Sequence, residues 1–200
     1  MRRLIAGSMC LAAAIGTTAW ISFTSSATPA FANSQAYELY CPKTPVGNVV
    51  INGVMTTATI TPANPAAGSQ FSITNYQTTL TLNTTISKIA FDLQPNVQGT
   101  ANASVDASGA TPATLAVPAI NINTPITDGG VNGVPLSLPA SPETVGPFTA
   151  SGGAITMTEA DTASLTLLLN GEPLPTTCTA YPNNANPTGL ISAAAAGTPT

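Results

Sequence analysis

The sequence predicts an all-β protein, an immunoglobulin-like antiparallel β-sandwich, on three observations. Apolar residues recur with period two in short segments, turn-forming residues separate those segments, and no stretch of a dozen residues carries a capped i, i+3, i+4 apolar stripe. A closed barrel is the other architecture this pattern admits.

The elements follow in order. Ala58 and Ile60 alternate with Thr57, Thr59 and Thr61, Phe71 and Ile73 flank Ser72, and Leu80 and Leu82 alternate with Thr79, Thr81 and Asn83. Ile89, Phe91 and Leu93 alternate around Lys88 and Asp92, and Ala101, Ala103 and Val105 around Asn102, Ser104 and Asp106. Leu115 with Val117, Leu136 with Leu138, Ile155 with Met157, and Leu165, Leu167 and Leu169 complete about nine half-buried strands, since alternate side chains leave opposite faces of a strand. Turns are expected at Asn52-Gly53, Ala66-Ala67-Gly68, Ser108-Gly109, Asp128-Gly129-Gly130, Ser151-Gly152-Gly153 and Asn170-Gly171. From Pro118 to Pro147 six prolines break the rhythm; proline removes a ladder donor, so this region reads as a crossover with edge strands, and as a candidate binding surface.

The N-terminus carries Arg2 and Arg3, an apolar stretch from Leu4 to about Phe23, and Ala30-Phe31-Ala32, the three parts of a secretory signal peptide. Cleavage between Ala32 and Asn33 leaves a chain of 168 residues, read as one domain over 33–192 with a flexible tail over 193–200. Cys10 follows Met9 where lipidation requires a small residue, and no later apolar run reaches the length of a membrane span. The expected location is extracellular or the cell envelope.

After cleavage two lysines, Lys43 and Lys88, face eight acidic residues, a net charge of −6. Nucleic acid is excluded as a partner, because polyanion binding needs several cations to displace counterions. Only 6% of residues are charged, but 44% are hydrophobic and period-two patterned, which argues for a folded chain rather than a disordered one.

The chain has no histidine, which removes the commonest general base and the commonest metal ligand together. Ser-His and Cys-His nucleophiles are excluded, and two cysteines without histidine cannot form a four-ligand zinc site. Asp128, Glu159 and Asp161 are oxygen donors without the spacing of a calcium loop, so no metal and no cofactor is expected. Glu159 and Asp161 are the closest carboxylate pair, the one arrangement here that a glycosidase-like hydrolase could use. Cys41 and Cys178 frame almost the whole strand series; in an oxidising compartment they are expected to form a disulfide that makes the first and last strands of the cleaved chain neighbours. Tyr40 and Tyr181 flank it and are expected to pack beside it; the alternative is a ligand-facing role for the two tyrosines, with Asp128 as a further ligand-facing candidate.

The entry Tyr37-Glu38-Leu39-Tyr40-Cys41-Pro42 with Pro45-Val46-Gly47, the later Gly146-Pro147-Phe148-Thr149-Ala150-Ser151-Gly152, and the closing Thr177-Cys178-Thr179 with Pro187-Thr188-Gly189 form a recognisable layout. It resembles exported actinobacterial β-sandwich domains of unknown function across nearly the whole cleaved chain. The resemblance implies a secreted or envelope protein with one disulfide, and it brings no activity. The leading expectation is a non-enzymatic secreted or envelope module that binds or spaces other envelope or extracellular components. A carrier of a small apolar or lipid ligand between the sheets is the alternative, motivated by a mean hydropathy of +0.27. A carboxylate hydrolase using Glu159 and Asp161 is the third.

Overall fold

The computed structural model describes residues 21–23, 31–33, 36–44 and 47–182. Two short strands, β1 (Ile21–Phe23) and β2 (Phe31–Asn33), precede β3 (Tyr37–Thr44), β4 (Gly47–Thr61) and β5 (Gln70–Leu82). Helix α1 (Thr84–Leu93) leads to β6 (Asn96–Asn102), β7 (Ser104–Ser108), β8 (Ala110–Thr111), β9 (Thr114–Ala116) and β10 (Ile120–Pro125). A 3-10 turn (Asp128–Gly130) precedes β11 (Val134–Ala150), β12 (Ile155–Glu159), β13 (Thr162–Leu169) and β14 (Glu172–Pro182). Apart from β1 and β2, the expected leader lies outside the described residues, as do Cys10 and the C-terminal tail.

The fold is antiparallel all-β in two sheets, with an uneven partition. The larger runs β10-β6-β13-β14-β3-β4-β5-β11-β8, with β2 beside β4, and the smaller runs β1-β12-β7-β9. The larger sheet curls until β10 packs against β11. Its concave side holds the core, where Phe71 and Phe148 stack with ring centroids 5.5 Å apart. The expected clasp is present: Cys41 on β3 and Cys178 on β14 are disulfide-bonded, and the two strands pair with Thr179 opposite Tyr40.

Two long strands change phase midway. Ile51 is buried at an odd position of β4, whereas Val54, Thr56 and Ile60 are buried at even ones; Phe71 and Ile73 give way in the same manner to Tyr76, Leu80 and Leu82 on β5. A one-residue shift turns every later side chain to the other face, so each strand must contain a bulge. Gly53 (φ 70°) and Asn75 (φ 56°) occupy those points in left-handed conformations. Asn52-Gly53 is therefore not the hairpin turn the dipeptide suggests. It is a bulge within β4, where the strand's pairing passes from β3 to β5.

The proline-rich region behaves as its composition requires. β10 is an edge of the larger sheet, and β11 is an edge along most of its length, since β8 pairs only with Thr149 and Ala150. The β5–β11 register shifts three times between Leu138 and Phe148, a stretch that contains Pro139, Pro142 and Pro147. Bulges and edges are where a residue without an N–H costs least.

Ile89, Phe91 and Leu93 do not form the expected strand; they lie on α1. The Asn83 side chain caps the helix by accepting the Ile86 N–H at 2.9 Å, and buried Ser87 donates to the Leu82 carbonyl at 3.2 Å. Capping satisfies a donor that the first turn otherwise leaves unpaired. Lys88 is exposed, now on a helix rather than a strand. Asn83→Ala is expected to lower stability by about 1 kcal/mol, read as a lower denaturant midpoint at unchanged slope.

Candidate functional site

Two of the concavities in the interior of the curled sheet differ in character. At one end, α1 lies over the larger sheet and leaves a cavity of about 90 Å³. Ile86, Ile89 and Ala90 form its roof, Leu165, Leu167 and Leu169 of β13 with Leu174 of β14 one wall, and Cys41, Val49, Ile51 and Leu82 the deeper surface. The polar residues in the lining are Thr44 and Thr176. The β13–β14 hairpin turns through Asn170 (φ 52°) and Gly171 (φ 85°), both left-handed, which sets Leu167 opposite Leu174. Period two then aligns Leu165, Leu167 and Leu169 on one face. These leucines are only half-buried, because α1 spans the end of the sheet without filling the space beneath it.

At the other end the smaller sheet closes the interior, and Glu159 at the end of β12 projects toward β3 and β5. Its Oε1 accepts hydrogen bonds from the Tyr76 hydroxyl at 2.5 Å and from Thr78 at 2.9 Å, and its Oε2 accepts one from the Tyr37 hydroxyl. Thr56 and Thr78, paired across β4 and β5, share a hydroxyl hydrogen bond at 2.9 Å. The carboxylate thus joins the sheets through three hydroxyl donors. The tyrosines respond: burial foremost, then the negative charge of Glu159 and its hydrogen bond, holds both hydroxyls well above the ordinary tyrosine range. A cavity of about 60 Å³ adjoins this cluster, lined by Tyr37, Tyr76, Thr78 and Glu159 and otherwise mostly by apolar side chains.

The residues singled out from sequence are dispersed. Tyr40 and Tyr181 lie on adjacent strands beside the disulfide, Tyr181 buried and Tyr40 half-buried, and neither lines the apolar cavity. Asp128 begins the 3-10 turn, exposed, and its carboxylate accepts a hydrogen bond from Asn132. Asp161 is exposed, while Glu159 turns inward to its hydroxyl donors. Among the described residues no three His, Cys, Asp or Glu side chains are grouped as metal ligands would be, and no helix is long and apolar enough to cross a membrane.

Sequence reasoning missed Tyr37, Tyr76, Thr78 and Thr56. A signal for the last two existed: Thr78 and Thr56 stand at inward-facing phase among apolar neighbours, where a polar side chain requires a buried partner. No family model, curated protein or solved structure matches this chain.

Proposed function

We propose that the protein is a non-enzymatic module of the secreted or envelope-associated class, related to the exported actinobacterial β-sandwich domains it resembles, and that it binds a small apolar ligand beneath α1. The observation that carries this reading is the cavity roofed by Ile86 and Ile89 and walled by half-buried leucines. Dry apolar cavities take up apolar guests, because the lining gains dispersion contacts without losing hydrogen bonds. The site therefore lies under the helix at the end of the larger sheet rather than between the two sheets. The position of Glu159 supports a structural role for the strongest polar cluster: its oxygens are engaged by hydroxyl donors from the facing sheet. Asp161, the other member of the carboxylate pair, is exposed.

The test is binding of an environment-sensitive naphthalene dye and its displacement by medium-chain fatty acids. Leu167→Asn is expected to weaken binding about tenfold, the loss of a side chain's apolar contact, while leaving the unfolding free energy within about 1 kcal/mol of the parent. A protein that takes up neither dye nor fatty acid, and whose native mass shows no co-purifying lipid, would sink the reading.

A further inference from the structure

We infer that the cavity beside Glu159 is a second binding site, one that takes a small primary aliphatic amine with its ammonium group at the carboxylate and its alkyl chain directed inward. It is separate from the cavity beneath α1, with which it shares no lining residue. Glu159 is only partly exposed, and the groups that reach it among the described residues are the neutral hydroxyls of Tyr37, Tyr76 and Thr78. A carboxylate withdrawn from water is ordinarily matched by an opposite charge or a metal. Neither lysine among the described residues is placed to supply one. Both are exposed, Lys43 at the end of β3 away from Tyr37 and Lys88 on α1. The carboxylate also keeps an open acceptor position. Its two oxygens offer about four lone-pair sites, Oε1 receives two hydroxyls and Oε2 one, so a further donor can bind at Oε2.

The lining is graded as an alkylammonium ion is. Around Glu159, Ser104 and Ala160 are half-buried and Thr162 is exposed, which makes this the mouth; Leu80, Ile120 and Leu138 are buried and form the depth. Tyr76, Thr78 and Leu80 occupy successive inward positions of β5, so the wall passes from hydroxyl to aliphatic along one strand. A cation at the mouth meets the carboxylate without losing all of its water, and the methylenes behind it gain apolar contact. A hard metal ion is a poorer match: calcium takes about six to eight oxygen ligands, and one carboxylate with three hydroxyls falls short of that. An alkanoate would bring a second negative charge beside the first. Volume sets the size. On the measure by which one water needs roughly 10–15 Å³, a cavity of about 60 Å³ holds about four to six non-hydrogen atoms, the size of butylamine or pentylamine. The chain's formal net charge of −4 draws cations toward it.

NMR titration of the protein at pH 7 and low ionic strength with pentylammonium, 1-pentanol and pentanoate, followed on the ring signals of Tyr37 and Tyr76, tests the inference. Pentylammonium is expected to saturate and to bind at least about fivefold more tightly than 1-pentanol, the attraction of opposite charges at a partly exposed site. That margin should shrink in high salt, and pentanoate should leave the ring signals unmoved. This comparison on the parent decides the charge preference without any variant. Glu159→Gln should bring the amine down to the level of the alcohol. Ala103→Leu leaves the carboxylate and its hydroxyl donors in place but puts further carbons into the cavity that Ala103 lines. It should weaken amine and alcohol alike at least about tenfold, while the disulfide, the circular dichroism and the uptake of dye beneath α1 are kept. Equal affinity for amine and alcohol in the parent, an amine preference that survives in Glu159→Gln, or unchanged binding in Ala103→Leu would overturn the inference. So would displacement of the dye by pentylammonium, which would put the amine in the other cavity.

Discussion

Removing the Cys41–Cys178 bond is expected to lower stability by about 2–5 kcal/mol, enough to take a large share of a domain's total of roughly 5–15 kcal/mol. The bond closes a loop of 137 residues, long enough for the chain-entropy argument to place the effect toward the upper end of that range. It also sits where the consequence is greatest. β3 and β14 form the seam at which the two ends of the domain meet, and both cysteines are buried, at 2% and 3% exposure. Opening the bond frees one strand at each end of the chain. Cys41 also lines the apolar cavity, so dye binding should weaken along with stability. Denaturant unfolding with and without reductant gives the first measure, and Cys41→Ala/Cys178→Ala separates the crosslink from the cost of burying two thiols. An unchanged midpoint in both would refute the claim that this seam depends on the covalent bond.

The strand series was legible because period two records burial directly. Phe71, Ile73, Leu80, Leu82, Leu136, Leu138, Ile155 and Met157 are all buried as that period requires. The bulges were not legible: Phe71 with Ile73 and Leu80 with Leu82 read as two separate strands and Asn52-Gly53 as a turn, and only the pairing shows each phase change to fall inside one strand. The helix was harder, because two periods overlap in the same residues. Ile89, Phe91 and Leu93 satisfy i, i+2, while Ile86, Ile89, Ala90 and Leu93 satisfy i, i+3, i+4, i+7. Asn83 as N-cap decides between them, with Pro95 just beyond the helix. The cavity could not be read from the chain. Its leucines look like ordinary core on β13, and the space beside them exists only because α1, some 75–80 residues earlier, crosses the sheet end without filling it. The Glu159 cluster is non-local in the same sense, its tyrosines lying 83 and 122 residues away.

That cluster yields the second large effect. Glu159→Leu is expected to cost about 3–5 kcal/mol, since it removes the acceptor of the Tyr37 and Tyr76 hydroxyls, leaving Tyr37 only its long contact to Thr56 at 3.4 Å, each buried polar group without an acceptor costing about 1–3 kcal/mol, and it also loses the contact to Thr78. Glu159→Gln keeps one carbonyl acceptor at the same reach and should cost about half as much. Size alone does not separate a brace from a packing defect, but pH does. Both tyrosines have folded-state pKa values raised above the ordinary value near 10, so they hold their protons longer in the folded protein than in the unfolded chain. Their contribution is therefore fully present below about pH 10 and is lost above it, as the unfolded chain releases protons that the folded state retains, at up to about 1.4 kcal/mol per pH unit for each tyrosine. The melting temperature of the parent should fall steeply between about pH 10 and 11.5, and Tyr37→Phe should roughly halve that slope. In Glu159→Gln the charge that helps raise both tyrosines is gone while burial remains, so the decline should level off at a lower pH. A parent with a flat alkaline profile, or a Tyr37→Phe profile as steep as the parent's, would show that the two hydroxyls do not couple the sheets through Glu159.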